Sequence, residues 1–333
     1  MRVMRADLAR RTLCPEERPL PVPGPGELLL QVLACGVCRT DLHVIDGDLP
    51  PHRQGVVPGH EIVARVAGHG PGAGRFALGR RVGVPWLGRA CGHCGFCGQG
   101  HENLCDEPEF TGYDRDGGFA EYTLADERFC FALPEAYDDL HAAPLLCAGL
   151  IGHRAWRLAG AATARRLGLY GFGAAAHLIA QVAVALGQEV YAFTRAGDLQ
   201  GQAFARSLGA SWAGTSDDLP PVPLDAALLF APVGGLVPLA LRAVRKGGTV
   251  VCAGIHMSPI PAFDYSLLWG ERVLRSVANL TRADGEAFLA QVARTPVVTH
   301  VQPFALADAA LAVQALREGR VQGAAVLVPG RAA

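Results

Sequence analysis

The sequence has no surplus of either charge. Its 30 basic and 31 acidic side chains leave a formal net charge of -1 over 333 residues. A dedicated nucleic-acid binder needs a basic excess to neutralise phosphates, so this balance excludes that class as the main role. Charge is scarce altogether, at 18% of residues, while half are hydrophobic. That composition supports a sizeable core and excludes global disorder. No apolar run reaches the roughly 18–20 residues of a membrane span. Met1–Arg11 is polar and basic with no apolar stretch behind it, so no secretory signal is expected and the expected compartment is the cytoplasm. Internal repeats and low-complexity linkers are also lacking. Ten cysteines are too sparse for a disulfide scaffold.

The 41 glycines and 23 prolines are spread without a period and read as turns and tight backbone passages. The length suits two domains. Up to about residue 145 the chain reads as short strands and loops: Glu27–Ala34 ending in Cys35-Gly36, Glu61–Val66, Arg81–Val84 and the alternating Gly118–Leu124. Many short strands with Gly/Pro turns suggest a small barrel-like β domain. Leu158–Arg166 reads as a lead-in helix or turn. From Leu167 the pattern is strand-helix-strand. Strands are expected at Leu167–Tyr170, Glu189–Phe193, Leu224–Phe230, Gly248–Ala253 and Arg272–Ala278. Helices are expected at Ala174–Leu186, Gln202–Leu208 and Leu236–Val244. This is a parallel α/β domain with helices on both faces. Near the end, a helix at Ala305–Glu318 with Leu306, Ala309, Ala310, Val313 and Leu316 inward precedes a strand at Ala324–Val328. The tail is expected to return to the first domain.

Four of the cysteines fall close together. Cys91, Cys94, Cys97 and Cys105 are spaced three, three and eight apart, and glycines follow the first three. Four thiolates close a tetrahedron around zinc at about 2.3 Å and leave no position for substrate, which makes a structural site. A second set, Cys38, His60, Glu61 and Cys147, offers two thiolates, an imidazole and a carboxylate, a donor set that suits a catalytic zinc. Spacing alone also allows a buried cysteine and a loop histidine without metal. Cys35 competes with Cys38 in sequence, but it ends an apolar strand and reads as packing.

Gly171-Phe172-Gly173-Ala174-Ala175-Ala176 follows a strand and opens a helix. The first glycine allows the turn, the second lets backbone approach a pyrophosphate, and Ala176 is small enough for helix and sheet to close. The second strand ends in Phe193-Thr194-Arg195, with Asp198 only later in the loop. An NAD site usually offers an acid at that strand end. Neutral Thr194 and cationic Arg195 favour the 2′-phosphate of NADP instead.

With these motifs together, the chain resembles the zinc-dependent alcohol dehydrogenases of the medium-chain dehydrogenase/reductase superfamily, bacterial type, over nearly its whole length. The resemblance rests on Gly59-His60-Glu61, the four-cysteine lobe, Asp116-Gly117-Gly118-Phe119-Ala120-Glu121-Tyr122 and the glycine-rich turn. It implies a GroES-like β-barrel catalytic domain from residues 1–148 and 283–333, and a Rossmann doubly wound parallel-sheet cofactor domain at residues 149–282. It implies two zinc ions per chain. Cys38, His60 and Cys147 would ligate the catalytic one, with Glu61 a close or alternating ligand and Asp41 orienting His60. Thr40 would touch the alcohol oxygen, and the proton would leave through Thr40, the cofactor ribose and His43. Gly171, Gly173, Ala174, Ala176, Thr194, Arg195, Ala253 and Asn279 would meet NADP or NAD. Trp86 and Leu49 would line the substrate pocket, with Leu280 and Thr281 beside Asn279 on its far side. The expected reaction is reversible hydride transfer between a primary alcohol and its aldehyde, in a homodimer or homotetramer paired through the edge strand Val273–Ala278. A polyol dehydrogenase shares this metal chemistry, and a zinc protein without enzymatic activity shares the lobe. Relatives often carry a glycine where this chain has Ala176. Many carry an arginine near the pyrophosphate where it has Gly323-Ala324-Ala325-Val326, with Arg320 upstream and out of register.

Overall fold

A computed structural model describes residues 1–50, 52–160 and 163–330 of the chain. The chain forms two compact units: Met1–Cys147 with Leu280–Arg294 and Thr299–Ala333, and Ala148–Asn279 with Thr295–Val298.

The first unit begins with a hairpin, β1 (Arg2–Asp7) and β2 (Thr12–Glu17), paired antiparallel. Its Val3, Met4, Ala6 and Leu13 are buried, so the polar N-terminus hides an inward apolar face. The long strand β3 (Glu27–Val37) runs on past Cys35-Gly36 and leads into helix α1 (Arg39–Asp46). Next come β4 (Glu61–His69), β5 (Arg81–Val84), β6 (Leu87–Arg89), the short turn of helix α2 (Gly95–Gly98), β7 (Glu109–Phe110), β8 (Tyr122–Asp126), β9 (Phe131–Ala132) and α3 (Asp139–Ala142). β3 is the spine of a mixed sheet in which β4, β5 and β9 follow it in that order on one side, with β8 also pairing β3. The last pieces of chain supply its other edge: β16 (Val301–Ala305), α9 (Ala309–Arg317) and β17 (Ala324–Val328), which runs antiparallel to β3. Leu28, Leu30, Ile62 and Phe119 are fully buried in its core.

Two expectations shift here. The strand expected from Gly118 starts only at Tyr122, because the backbone of Gly117, Gly118 and Phe119 bonds to Val57, Gly59 and Pro58 instead. The helix expected from Ala305 opens with a tight turn at Leu306–Asp308 before α9 begins. Leu306, Ala309 and Val313 are buried as read, and Ala310 and Leu316 pack half-buried against the same core. Helix α8 (Arg282–Arg294) also belongs to this unit and was not legible as one.

The second unit opens with helix α4 (Ala148–Leu158), which stops where a lead-in was expected. Residues 161 and 162 of that stretch lie outside the described residues. Then alternate β10 (Arg166–Tyr170), α5 (Ala174–Ala185), β11 (Glu189–Thr194), α6 (Leu199–Ser207), β12 (Trp212–Thr215), β13 (Leu224–Leu229), α7 (Leu236–Ala243), β14 (Val244–Cys252) and β15 (Val273–Ser276). The strands are all parallel, in the order β12-β11-β10-β13-β14-β15. The order reverses between β10 and β13, so the carboxyl end of β10 is the switch point where such sheets leave a crevice. Near-continuous apolar strands suit a sheet covered on both faces. Tyr170 of β10 and Phe193 of β11 stack at 4.0 Å as cross-strand partners in its core. Among the described residues, no helix is long and apolar enough to cross a membrane.

Candidate metal and cofactor sites

Three turns of the first unit bring Cys38, His60, Glu61 and Cys147 to one point. Cys38 caps α1 directly after β3, His60 and Glu61 enter β4, and Cys147 follows the turn Ala143–Leu146. One ligand atom from each lies within 4.8 Å of all the others, and the two sulfurs are 3.7 Å apart. His60 Nε2 and Glu61 Oε2 are buried without a protein partner. Leaving such atoms unpaired is costly, and two soft thiolates, a borderline imidazole and a carboxylate oxygen converging on one point fit a zinc ion. Cys35 is fully buried and its thiol lies 3.6 Å from the Gly36 carbonyl, outside this set.

The surroundings explain the geometry. Gly36 faces Glu61 across the β3–β4 ladder, and a Cβ there would lie 1.8 Å from the Glu61 carboxylate. A Cβ on Gly117 would lie 2.1 Å from the Gly59 carbonyl. The Asp116–Tyr122 motif therefore works as a floor under the turn that presents His60. Asp41 Oδ1 lies 3.1 Å from His60 Nδ1 and accepts the Gly59 N–H at 3.0 Å. Burial alone would lower the His60 pKa, but Asp41 and Cys38 outweigh it and hold it well above the ordinary value. The Cys147 thiol, helped by His60, pulls the Cys38 pKa well down against burial. Burial and the neighbouring Cys38 charge push Glu61 up.

Thr40 and His43 lie one turn apart on α1, hence on one face. Thr40 Oγ1 is 3.8 Å from Cys38 Sγ. His43 Nδ1 is 2.8 Å from Asp48 Oδ2, a partner the sequence reading missed. The only signal for it was Gly47, a helix stop that turns the chain back. Trp86 is buried with its ring edge-on to His60 at 4.9 Å, so it sits beside the cluster. It stacks on Phe110 at 5.1 Å and Tyr113 at 5.9 Å, aromatic companions not singled out from sequence. Leu49 packs half-buried against the core of the unit. Thr281 is buried, its hydroxyl bonded to Asp284 at 2.7 Å at the start of α8.

The four-cysteine lobe also closes on itself. The Cys91, Cys94, Cys97 and Cys105 sulfurs meet the same 4.8 Å limit. Backbone N–H groups of Cys91, Cys94, Cys97 and Glu107 donate to the sulfurs of Cys105, Cys91, Cys94 and Cys105 in turn. Such donors favour thiolate. The backbone of Asp106 leads in drawing the Cys94 pKa down to about 6, whereas burial pushes Cys97 up to about 12 and outweighs the two backbone donors to raise Cys105. Of the three glycines that follow these cysteines, only Gly92 has a positive φ, +81°.

The nucleotide motif lies in the second unit at the carboxyl end of β10. Gly171 has φ +86°, and a Cβ there would meet Ala231 at 2.7 Å. Beside Gly173, the cap of α5, a Cβ would meet nothing within 4 Å. The backbone is therefore open at the helix N-terminus, as the close approach of an anion such as a pyrophosphate requires. Ala176 is fully buried, as the closing of helix on sheet requires. At the end of β11 the Thr194 hydroxyl faces inward, accepting from Gln202 at 3.2 Å and donating to Gly214 O at 3.3 Å. Arg195 is exposed. Asp198 is occupied as the cap of α6, accepting the Gly201 N–H at 2.8 Å. Ala253 follows β14, and Asn279, just beyond β15, has φ +51° and a buried Nδ2 with no protein partner. Arg320 pairs with Glu318.

The alcohol dehydrogenase GroES-like domain model matches residues 24–135. The chain is 48% identical over 315 residues to a Mycobacterium tuberculosis protein named probable alcohol dehydrogenase AdhA, covering 93% of this chain and 90% of that one. Its fold is similar to that of a cinnamyl alcohol dehydrogenase from Sorghum bicolor, with TM-score 0.90, 26% identity and coverage of 98% and 97%. It is similar also to an acetophenone reductase from Geotrichum candidum solved in complex with NAD, with TM-score 0.87, 26% identity and coverage of 98% and 96%.

Proposed function

Because the chain belongs to the zinc-binding alcohol dehydrogenases of the medium-chain dehydrogenase/reductase superfamily, we propose that it interconverts primary alcohols and aldehydes by reversible hydride transfer with NAD(P), through the residues named here. The observation that carries this reading is the convergence of Cys38, His60, Glu61 and Cys147, with two buried unpartnered ligand atoms, next to Thr40. Cys38, His60 and Cys147 would hold the zinc, which would supply Lewis acidity, and the nicotinamide would supply the hydride acceptor.

The chain's own residues do the rest. Asp41 fixes the His60 ring so that Nε2 faces the metal. Glu61 stands ready as an alternating ligand. Thr40 Oγ1 both donates and accepts, so it takes the substrate proton and passes it on towards His43. His43 holds that proton and releases it to water, as an imidazole suits near neutral pH. Trp86 and Leu49 form an apolar wall that favours uncharged substrates. A second zinc in the four-cysteine lobe is structural, giving two per chain.

Gly171, Gly173 and Ala174 seat the pyrophosphate on the N-terminus of α5, while fully buried Ala176 stays beneath them and lets helix and sheet close. Ala253 and the Asn279 amide meet the cofactor farther along the sheet edge. Thr194 holds the end of β11 without offering an acid, and exposed Arg195 selects the 2′-phosphate of NADP. The exposed edge strand β15 pairs two copies into a homodimer or, with a further contact, a homotetramer. Two thiolate clusters must stay reduced to hold metal, which favours the cytoplasm. Initial rates of NADP and NAD reduction with a panel of primary alcohols test the reading, and no turnover by zinc-replete protein would sink it.

A further inference from the structure

The metal cluster and the α1 face beside it use the same pairing twice. Asp41 backs the buried His60, and Asp48 backs the half-buried His43, Nδ1 to Oδ2 at 2.8 Å. The second pair is built by the end of α1. Gly47 closes the helix in the left-handed region, φ 77° and ψ 20°, and its N–H bonds the His43 carbonyl. The Asp48 N–H reaches the same carbonyl at 3.0 Å, and the Asp48 carboxylate then returns to the His43 ring. A residue with a Cβ is strained at that φ, so Gly47 sets where Asp48 points. The other acids of α1 are engaged elsewhere, Asp41 with His60 and Asp46 with Arg317 of α9.

We propose that Asp48 is a positioning residue for the relay, holding His43 in the tautomer with hydrogen on Nδ1 so that Nε2 is the atom that takes the substrate proton. This rests on the relay reading above. An ionised carboxylate only accepts hydrogen bonds, so Nδ1 must donate and the lone pair is left on Nε2. When Nε2 takes the proton arriving by way of Thr40, the imidazolium keeps its Nδ1–H on Asp48, and the same proton leaves Nε2 for water. No other bond changes. The same logic governs a carboxylate behind a general-base histidine in hydrolytic triads.

The proposal separates from a merely structural pair by the choice of variant. An asparagine amide is uncharged and offers both a donor and an acceptor, so it no longer holds Nδ1 to the protonated tautomer, and Asp48→Asn harms the relay about as much as Asp48→Ala. A structural hydrogen bond would make Asp48→Asn the milder change. The test is the single-turnover rate of nicotinamide reduction by zinc-replete protein, alongside ¹⁵N NMR of its histidine rings, with the His43 signal assigned by its loss in His43→Ala. The expected result is an Nδ1-protonated His43 ring in the unaltered protein. Asp48→Asn should lower the rate by about tenfold, less than the ~10²-fold cost of losing an acid–base group outright. Asp48→Glu should recover part of that loss, and Asp48→Asn should add nothing in a His43→Ala background. An Nε2-protonated ring, a milder Asp48→Asn than Asp48→Ala, or an Asp48→Asn effect that persists without His43 overturns the proposal and leaves the relay reading intact. A His43→Ala protein with an unchanged rate removes the relay, and the proposal falls with it.

Discussion

Asp41 is shared between two ligands of one cluster: Oδ1 sits 3.1 Å from His60 Nδ1, and Oδ2 accepts the Cys38 N–H at 2.8 Å. One carboxylate thus fixes the ring of one ligand and the backbone of another. Both oxygens are used, and the residue is fully buried. Asp41→Ala should weaken zinc at this cluster by about 10- to 100-fold, the usual cost of losing such a partner. Competition with a chromophoric chelator reads this directly, and unchanged affinity would refute the role.

Cys38→Ala removes one thiolate from the catalytic cluster and none from the lobe. Metal analysis should fall from two zinc ions per chain to one, with dehydrogenase turnover lost. Loss of both ions would mean that the two clusters depend on each other, which their separate ligand sets do not suggest.

Asp225 ties together the start of β10 and the start of β14. Its carboxylate accepts the Arg165 and Arg166 N–H groups at 2.9 Å each and pairs with Arg245 at 2.6 Å. Burial would raise its pKa, but the Arg245 pair and these two donors win and lower it. A carboxyl whose folded value is depressed adds stability above its unfolded value and loses it as pH falls through the folded one. Asp225→Asn should therefore cost about 0.5–1 kcal/mol at pH 7, as for a partly exposed pair. The difference in Tm should hold steady down to about pH 5 and shrink below about pH 4. A gap that widens in acid would contradict this sign.

Arg195→Asp exchanges a cation at the end of β11 for the acid that a ribose 2′-hydroxyl prefers. The ratio of kcat/KM for NADP over NAD should fall by at least about tenfold, the scale of one lost charge-assisted bond. An unchanged ratio would show that Arg195 does not read the 2′ position.

The parallel sheet was legible because its strands are continuous apolar runs broken by glycines, and the four-cysteine lobe because its spacing alone makes a tetrahedron. Short edge pieces were harder. β12 offers four residues, and the β1–β2 hairpin breaks the period-2 pattern, with adjacent Val3 and Met4 both buried and Arg2, Arg5, Glu16 and Glu17 set among the buried Ala6 and Leu13. Helix α1 was missed because it is brief and ends in β-branched Val44 and Ile45. The catalytic cluster gathers residues from widely separated stretches, so no periodicity joins Cys38 to Cys147, and family resemblance had to. The Asp48 contact depends on a left-handed turn at Gly47, and sequence marks that turn without saying which side chain it returns.

The most direct test compares alcohol-dependent reduction of NADP and NAD by zinc-replete protein, by protein stripped with a chelator, and by stripped protein given zinc again. Turnover should vanish with the metal and return with it, on primary alcohols and in both directions. Turnover that survives the loss of zinc, or none in the zinc-replete protein with any primary alcohol, would contradict a zinc-dependent alcohol dehydrogenase built on Cys38, His60 and Cys147.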